Sequence, residues 1–359
     1  MRQLFLLFVT MLCFSFMNAQ PALERTVRAA TSDEREFRTL LENPITPIKN
    51  QNRSGTCWAF ATCAFFESEL LRLTGKEYDL SEMFVANKDY MDGAIFHVRL
   101  HGDNRFSQGG SADDVMAVIR RHGICPEEAM PKAGSMVGDT LANFNEFFSL
   151  LEPYMEAVAR NKAKKLSPQW KVGFQSIVDA YIGKCPETFV YEGKTYTPRS
   201  FADALGLNLD DYVSITSFTH HPFYSDFIIE APYKWRRCMS RNVPLDEMMS
   251  MIDKALEKGY TVCWGGDVSD NGFTRNGIAV EGDDKAPTQE ERQQRFDNHQ
   301  ATYDHVMLIY GIAEDQHGHR FYKVKNSWGH TGKYDGIWMM SRNYIAMNTT
   351  YVVLNKHSL

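Results

Sequence analysis

The segment QNRSGTCWAF, residues 51–60, places a single cysteine at the head of an apolar run. Cys57 follows a Ser-Gly-Thr turn, and the residues after it have the spacing of a buried helix that ends at Gly75. A helix that begins at Cys57 directs backbone N–H groups at the sulfur, and Gln51 adds an amide donor six positions earlier. The segment therefore predicts either a nucleophilic cysteine with an oxyanion donor or a cysteine buried only for packing.

The composition is that of a globular protein with its own hydrophobic core. Hydrophobic residues make up 43% of the 359 positions and charged residues 23%, so bulk disorder is not expected. The net charge of -6 is spread along the chain without a basic stripe, which excludes nucleic acid as an expected partner. The cysteines are scattered, and we interpret His220, His221, His317 and His319 as surface polar residues. We therefore predict no metal site and no cofactor.

Residues 1–19 have the organisation of a secretory signal peptide. Arg2 forms a basic start, an apolar stretch runs from Leu4 to Met17, and the small residue Ala19 stands before Gln20. A membrane anchor is the alternative, but the apolar stretch is short for a span. We expect cleavage near Ala19 and an exported protein, periplasmic or extracellular, that keeps no stable membrane span in its mature form.

Four further regions follow the signal peptide and predict an α+β fold. Residues 20–44 are a charged lead-in with one short helix expected around 33–41. Residues 45–125 form a helical part that contains the long helix, and residues 126–256 read as a mainly helical insertion. Residues 257–359 contain short β-rich runs separated by Gly, Asn, Asp and His. A cleft between a helical part and a β-rich part is a natural binding site.

The β-rich part contains a histidine and an asparagine suited to act with Cys57. His305 starts the strand HVMLIYG, and Asn326 ends the run FYKVK in the sequence Asn-Ser-Trp-Gly. An asparagine carbonyl that bonds to one imidazole nitrogen fixes the ring, while Trp328 shields that bond from water. We interpret the charged stretch 281–298 as a mobile loop.

The motifs Q-x5-C-W, Gly-Gly, Asp-His and Asn-Ser-Trp-Gly, in that order, resemble those of papain-like cysteine peptidases. The resemblance implies a two-part fold, with a central helix that starts at the nucleophile and a β-barrel-like part. It assigns the nucleophile to Cys57, the general base and acid to His305, the orienting residue to Asn326 and the oxyanion donor to Gln51. It also implies a peptide or protein substrate.

The Gly-Gly pair, Gly109 and Gly110, would be the strip whose backbone pairs with an extended substrate, and Trp328 would line the same site. Cys57 and His305 are 248 positions apart, against about 130–150 in the papain and cathepsin type. This enlarged spacing resembles the bleomycin hydrolase and aminopeptidase C branch, as do Ser54 in QNRSGTC and the run MIDKALEKGYTVCWGGDVS. Members of that branch have a papain-like core with a helical insertion and remove residues from peptide N-termini.

The sequence departs from that branch in two ways. Branch members are usually intracellular, and a C-terminal arm holds the amino group of the substrate in their cleft. Here only residues 356–359 follow the last predicted strand, TYVVLN. An endopeptidase or a dipeptidyl-peptidase therefore stays an alternative to an aminopeptidase, as do acyl transfer, deamidation and a non-catalytic peptide-binding protein. Several branch members form hexamers, which implies a homo-oligomer here only if the insertion keeps their assembly surfaces.

Overall fold

A long helix packs against the longest strand of a mixed sheet in the computed structural model of this chain. The structure describes residues 35–138, 141–163, 165–281 and 285–359. The predicted signal peptide at 1–19 lies outside the described residues.

Helices and strands both contribute substantially to the described residues, which confirms the predicted α+β class. The helices are α1 (Cys57–Thr74), α2 (Glu82–Arg99), α3 (Ala112–His122), α4 (Asn145–Ala159), α5 (Gln169–Ile182), α6 (Pro198–Leu205), α7 (Leu245–Glu257), α8 (Gln289–Asp297) and α9 (Arg342–Asn348). The strands are β1 (Phe37–Glu42), β2 (Met136–Val137), β3 (Leu141–Ala142), β4 (Phe189–Tyr191), β5 (Lys194–Tyr196), β6 (Tyr212–Thr216), β7 (Asp226–Phe227), β8 (Ser240–Asn242), β9 (Val262–Gly266), β10 (Ile278–Ala279), β11 (His305–Asp315), β12 (Arg320–Lys325), β13 (Ile337–Ser341) and β14 (Thr349–Asn355). Within the described ranges, no helix has the length and apolar character needed to cross a lipid bilayer.

Helix α1 is the central element, as the sequence predicts. Its residues are buried from Cys57 to Leu70, because apolar side chains point to every side of the helix. The helix ends at Gly75, whose φ of +71° is the left-handed conformation that glycine adopts without strain. The Gly75 N–H donates to the carbonyl of Leu71, which satisfies one of the last free carbonyls. The first residue of α1 is therefore fixed by a helix that is packed along most of its length.

Strand β11 connects the two halves of the sheet. One edge pairs with β12, while the other pairs first with β9 and then with β1. The pairing of β11 with β12 has a register shift between Ile309 and Gly311, where the opposite edge of β11 changes from β9 to β1. A Cβ on Gly311 would lie 2.6 Å from the Leu41 carbonyl oxygen of β1. His305, the first residue of β11, pairs with Gly266 at the end of β9. The candidate histidine therefore lies at the rim of the sheet.

The short helix predicted around 33–41 is wrong, because Phe37–Glu42 is the strand β1. The Phe37 ring packs edge-on against Phe321 and Tyr334, and the backbone pairs with β11. These contacts come from residues near the other end of the sequence. Tertiary pairing thus overrides a local charge pattern that favoured a helix.

The region 126–256 contains helices α4 to α7 and also strands that join the main sheet. The strand β6 pairs with β14, and β8 and β7 continue the sheet beyond β6. These strands have two to five residues and lie among polar loops, so no alternating pattern marks them in the sequence. The boundary at residue 256 stays a prediction, and the sheet extends across it.

The stretch 281–298, interpreted from its charges as a loop, contains helix α8. Thr288 and Glu291 form a capping box at its start. Arg292 is only 1% exposed and donates to the carbonyls of Ser217, at 2.8 Å, and Ala346, at 2.9 Å. A buried arginine therefore helps to attach α8 to α9 and to the segment after β6, which the overall charge of the stretch conceals.

Candidate active site

Cys57 is the first residue of α1 and is 9% exposed. The backbone N–H groups of Val306, Trp58 and Cys57 itself lie near the sulfur and act to lower the pKa of the thiol. Val306 follows His305 on β11, so the thiol lies where the central helix meets the rim of the sheet. Burial raises the pKa of the Cys57 thiol to about 12, and the Val306 N–H opposes that rise. All six cysteines of the described residues carry free thiols.

His305 is held by Asn326 in one orientation. The ring nitrogen Nε2 lies 2.8 Å from Oδ1 of Asn326, while the Ser327 N–H donates to the same oxygen at 2.8 Å. The second donor identifies this atom as the amide oxygen, so Nε2 of His305 carries the proton and Nδ1 is left to accept one. The Trp328 ring centroid lies 4.9 Å from that of His305 and covers the pair. Burial lowers the pKa of His305 to about 4, against the effect of the Asn326 bond.

These two shifts favour a neutral thiol beside a neutral imidazole. Each is caused first by loss of water, which penalises an isolated charge. Transfer of a proton from Cys57 to His305 would instead create two opposite charges, which attract each other strongly where water is excluded. The arrangement can therefore deliver a thiolate in step with an attack on a bound carbonyl.

The Gln51 side chain is clamped at both ends. Its oxygen accepts a 2.7 Å hydrogen bond from the Ser327 hydroxyl, and its Nε2 donates at 2.7 Å to the Ser54 carbonyl. The second N–H of the amide is left for another acceptor. Ser54 also donates from its hydroxyl to the Gln51 carbonyl at 2.7 Å, and its oxygen lies 2.5 Å from that of Thr56. Hydrogen bonds therefore hold the turn that leads to Cys57.

Gln108 joins this turn to the Gly-Gly segment, and no role was assigned to it from the sequence. Its side-chain oxygen accepts from the Gly55 N–H at 2.7 Å, and its backbone carbonyl accepts from Nε1 of Trp58 at 2.9 Å. A Cβ on Gly55 would lie 2.8 Å from the Gln108 Cβ. The only local signal was its position directly before Gly109.

The Gly109-Gly110 strip is packed against aromatic rings. A Cβ on Gly109 would lie 2.4 Å from the Tyr233 ring, and one on Gly110 would lie 2.9 Å from the Trp58 ring. The Gly110 carbonyl accepts a 2.6 Å hydrogen bond from the Tyr303 hydroxyl. Glycine is needed at both positions because the rings approach so closely, while the substrate-binding role of the strip stays a prediction.

The histidine pair interpreted as surface residues has a carboxylate beside it. Nε2 of His220 and of His221 lie 3.1 and 3.4 Å from the two oxygens of Glu230. This carboxylate partner was not predicted, because Glu230 is ten positions from His220 and nine from His221, in an irregular segment. The other pair, His317 and His319, lies in a turn around Asp315.

The final turn of the described chain lies away from Cys57. Asn355, the last residue of β14, donates to Glu69 at 2.8 Å. Glu69 is twelve residues beyond Cys57 on α1, which corresponds to about 18 Å along a helix. The next residue, Lys356, binds Asp211 at 2.8 Å. Residues 356–358 therefore contact the end of the fold opposite the thiol.

Comparison with known proteins gives the same placement from independent data. The chain matches the Peptidase C1-like family over residues 13–359. It is 24% identical to aminopeptidase G of Lactobacillus delbrueckii subsp. lactis, covering 89% of this chain and 83% of the relative, and 22% identical to the mitochondrial cysteine proteinase 1 of Saccharomyces cerevisiae, covering 95% and 81%. Its fold is similar to the crystal structure of PepW from Lactobacillus rhamnosis, with a TM-score of 0.74, 21% identity and coverage of 90% and 82%. These matches confirm the predicted papain-like fold and family.

Proposed function

The chain belongs to the Peptidase C1-like family of cysteine peptidases, and we propose that it is an aminopeptidase with Cys57 as nucleophile. The observation that carries the proposal is the meeting of the Cys57 sulfur, at the start of α1, with the β11 backbone next to a histidine oriented by Asn326. The aminopeptidase names of relatives that align over most of both chains support the choice of substrate class.

In the proposed reaction, the sulfur of Cys57 attacks the carbonyl carbon of a peptide bond while its proton passes to Nδ1 of His305. The oxyanion is stabilised by the Cys57 N–H and the free N–H of the Gln51 amide. The C–N bond then breaks, and the imidazolium returns the proton to the leaving amine. His305 next accepts a proton from water as the hydroxyl oxygen attacks the thioester, and the acid is released with the thiol restored.

We also propose that the mature protein acts outside the cytoplasm. The support is the signal-peptide pattern of residues 1–19. N-terminal sequencing of the protein recovered from its native cells is expected to give a chain that begins at Gln20. A chain that still begins at Met1 in the cytosolic fraction would contradict export and leave the peptidase proposal intact.

An endopeptidase is the second candidate. The observation that favours it is the final turn, which binds Asp211 and lies at the opposite end of α1 from Cys57. Residues 356–358 therefore do not occupy the cleft beside Cys57, where they would limit substrates to one residue before the cleaved bond.

Hydrolysis of aminoacyl-coumarin amides with a free amino group tests the main proposal. We expect turnover by the wild type and none by Cys57→Ala. Cys63→Ala is the matched control, because Cys63 is a fully buried cysteine on the same helix and six residues further on. Folding of both variants is checked by circular dichroism. Turnover by folded Cys57→Ala at the wild-type rate contradicts the proposal.

A further inference from the structure

A segment of the insertion packs against the Gly109-Gly110 strip. This segment, residues 231–238 and called the strap below, places the ring of Tyr233 directly on Gly109. The same ring lies edge-on to Tyr303, with 6.1 Å between centroids. Gly109 precedes helix α3 in the helical part, whereas Tyr303 lies two residues before His305, the first residue of β11. The two tyrosines therefore bridge the helical part and the β-rich part on the Gly109 side of the thiol.

Buried ion pairs hold the strap in place. Lys234 is 4% exposed, pairs with Asp113 and lies with its ammonium group 4.4 Å from the Tyr351 ring centroid. Two residues further along the strap, Arg236 binds Asp89 at 2.6 Å and Asp114 at 2.9 Å. Breaking a buried ion pair leaves an uncompensated charge. A strap that is held by the ion pairs of Lys234 and Arg236 therefore resists displacement.

The Gly110 carbonyl, beside the strap, is already hydrogen-bonded within the protein. The Gly110 carbonyl accepts from the Tyr303 hydroxyl, whose oxygen lies 3.1 Å from that of Tyr351. The Tyr351 hydroxyl in turn accepts from the Ala112 N–H at 3.0 Å. An extended peptide that adds to a backbone edge needs free carbonyl and N–H groups on that edge. The Tyr303 hydroxyl therefore competes with a second substrate residue for the Gly110 carbonyl.

We propose that the strap, through Tyr233 against Gly109 and Tyr303, closes the cleft to every residue that precedes the one donating the cleaved carbonyl. The proposal rests on the proposed peptidase function and names its substrate class. The first residue of a substrate with a free amino group ends next to the rings of Tyr233 and Tyr303. An acylated or longer peptide would have to occupy the volume that these rings fill. The insertion thus makes the enzyme an exopeptidase.

The test compares three substrates that share one coumarin leaving group: a free aminoacyl amide, its acetylated form, and an N-blocked dipeptidyl amide. Each is given to the wild type, Tyr233→Ala, Tyr233→Phe and Tyr224→Ala. Tyr224 is the matched control, since it is a 63% exposed tyrosine of the same insertion whose hydroxyl binds Glu247. The rate at which iodoacetamide alkylates Cys57 reports the accessibility of the thiol to a small reagent in every variant.

We expect the wild type, Tyr233→Phe and Tyr224→Ala to cleave only the free-amine substrate, because the ring and not its hydroxyl covers Gly109. We expect Tyr233→Ala to cleave the blocked dipeptidyl amide at least tenfold faster than the wild type. Efficient cleavage of blocked substrates by the wild type overturns the role of the strap while supporting a peptidase. An unchanged substrate pattern in folded Tyr233→Ala overturns it as well. If no substrate is cleaved in a Cys57-dependent way, the proposed function fails and the strap proposal fails with it.

If Tyr233→Ala does not fold, Tyr233→Leu replaces it. That variant keeps an apolar side chain over Gly109 but lacks the ring that lies against Tyr303. It is expected to raise cleavage of the acetylated substrate relative to the free amine, because the volume that the ring filled is open. No change in that ratio counts against the proposal.

Discussion

Ser327 donates a 2.7 Å hydrogen bond to the side-chain oxygen of Gln51, although the two residues are 276 positions apart. The backbone pairs at the same place, with the Gln51 N–H donating to the Ser327 carbonyl at 2.8 Å. The helical and sheet halves therefore meet through the residue that we propose stabilises the oxyanion. Ser327, the neighbour of Asn326, sets the direction of the Gln51 side chain.

Replacing Gln51 with Ala should lower kcat by about 10²–10³-fold with little change in KM, because one donor to the oxyanion is lost in the transition state. Steady-state kinetics on the free-amine substrate measures both constants. The exposed Gln300→Ala variant serves as control. A rise in KM at constant kcat would instead assign Gln51 to ground-state binding.

Replacing Ser327 with Ala should lower kcat by roughly tenfold, the equivalent of about one hydrogen bond, since the Gln51 amide is no longer held. Ser327→Thr keeps the hydroxyl and is expected to recover most of the rate. The loss should also be much smaller when Gln51 is already Ala. Equal losses in both backgrounds would mean that Ser327 acts on something other than Gln51.

The free energy of unfolding should fall between pH 6.5 and 4 partly because of His305. Its pKa is about 4 in the folded protein and near 6.5 when unfolded, so the neutral ring contributes stability above pH 6.5 that is lost as pH falls through 4. The full effect is about 3 kcal/mol. Urea unfolding at pH 7 and pH 4 should show a loss in His305→Gln that is smaller by this order. Identical losses would contradict the assignment.

Replacing Gly109 with Ala should destabilise the protein, because the added methyl group would lie 2.4 Å from the Tyr233 ring. Tyr233→Ala removes the obstacle, so the double variant should be more stable than the sum of the single effects predicts, by at least about 1 kcal/mol. Thermal unfolding of the four proteins completes the cycle. Additive effects would show that the contact is absent in solution.

Replacing Arg292 with Met should reduce the free energy of unfolding by about 3 kcal/mol or more, since buried carbonyls lose their donor and no acid is left unpaired. Arg199, which also bonds backbone carbonyls, through Ile119 and Arg120, but lies at the surface, gives the control Arg199→Met with an expected loss below about 1 kcal/mol. Equal losses would show that burial of the Arg292 bonds does not decide the effect.

Much of the fold follows from local patterns in the sequence. The apolar run after Cys57 and the glycine at position 75 define α1, and the β-rich runs near the C-terminus define β9 and β11 to β14. The positions of His305 and Asn326 relative to those strands were likewise visible. These features depend on neighbours within a few residues, and sequence patterns report such neighbours well.

The remaining features depend on partners far away in the sequence. β1 forms because β11 offers an edge, and α8 is held partly by a buried arginine. The Tyr233 contact with Gly109 joins positions more than a hundred residues apart. No sequence periodicity predicts a contact between such distant residues. The charged residues of the strap suggest a solvated loop, and only the structure shows that Lys234 and Arg236 pair with Asp113 and Asp89.

The packing of α1 against β11, which joins early and late parts of the chain, also has a consequence for biosynthesis. A growing chain presents Cys57 early, but 248 residues must be added before His305 exists. At typical elongation rates this takes roughly 12 to 50 s. With the roles proposed for Cys57 and His305, the order of synthesis delays peptidase activity until both residues have been added.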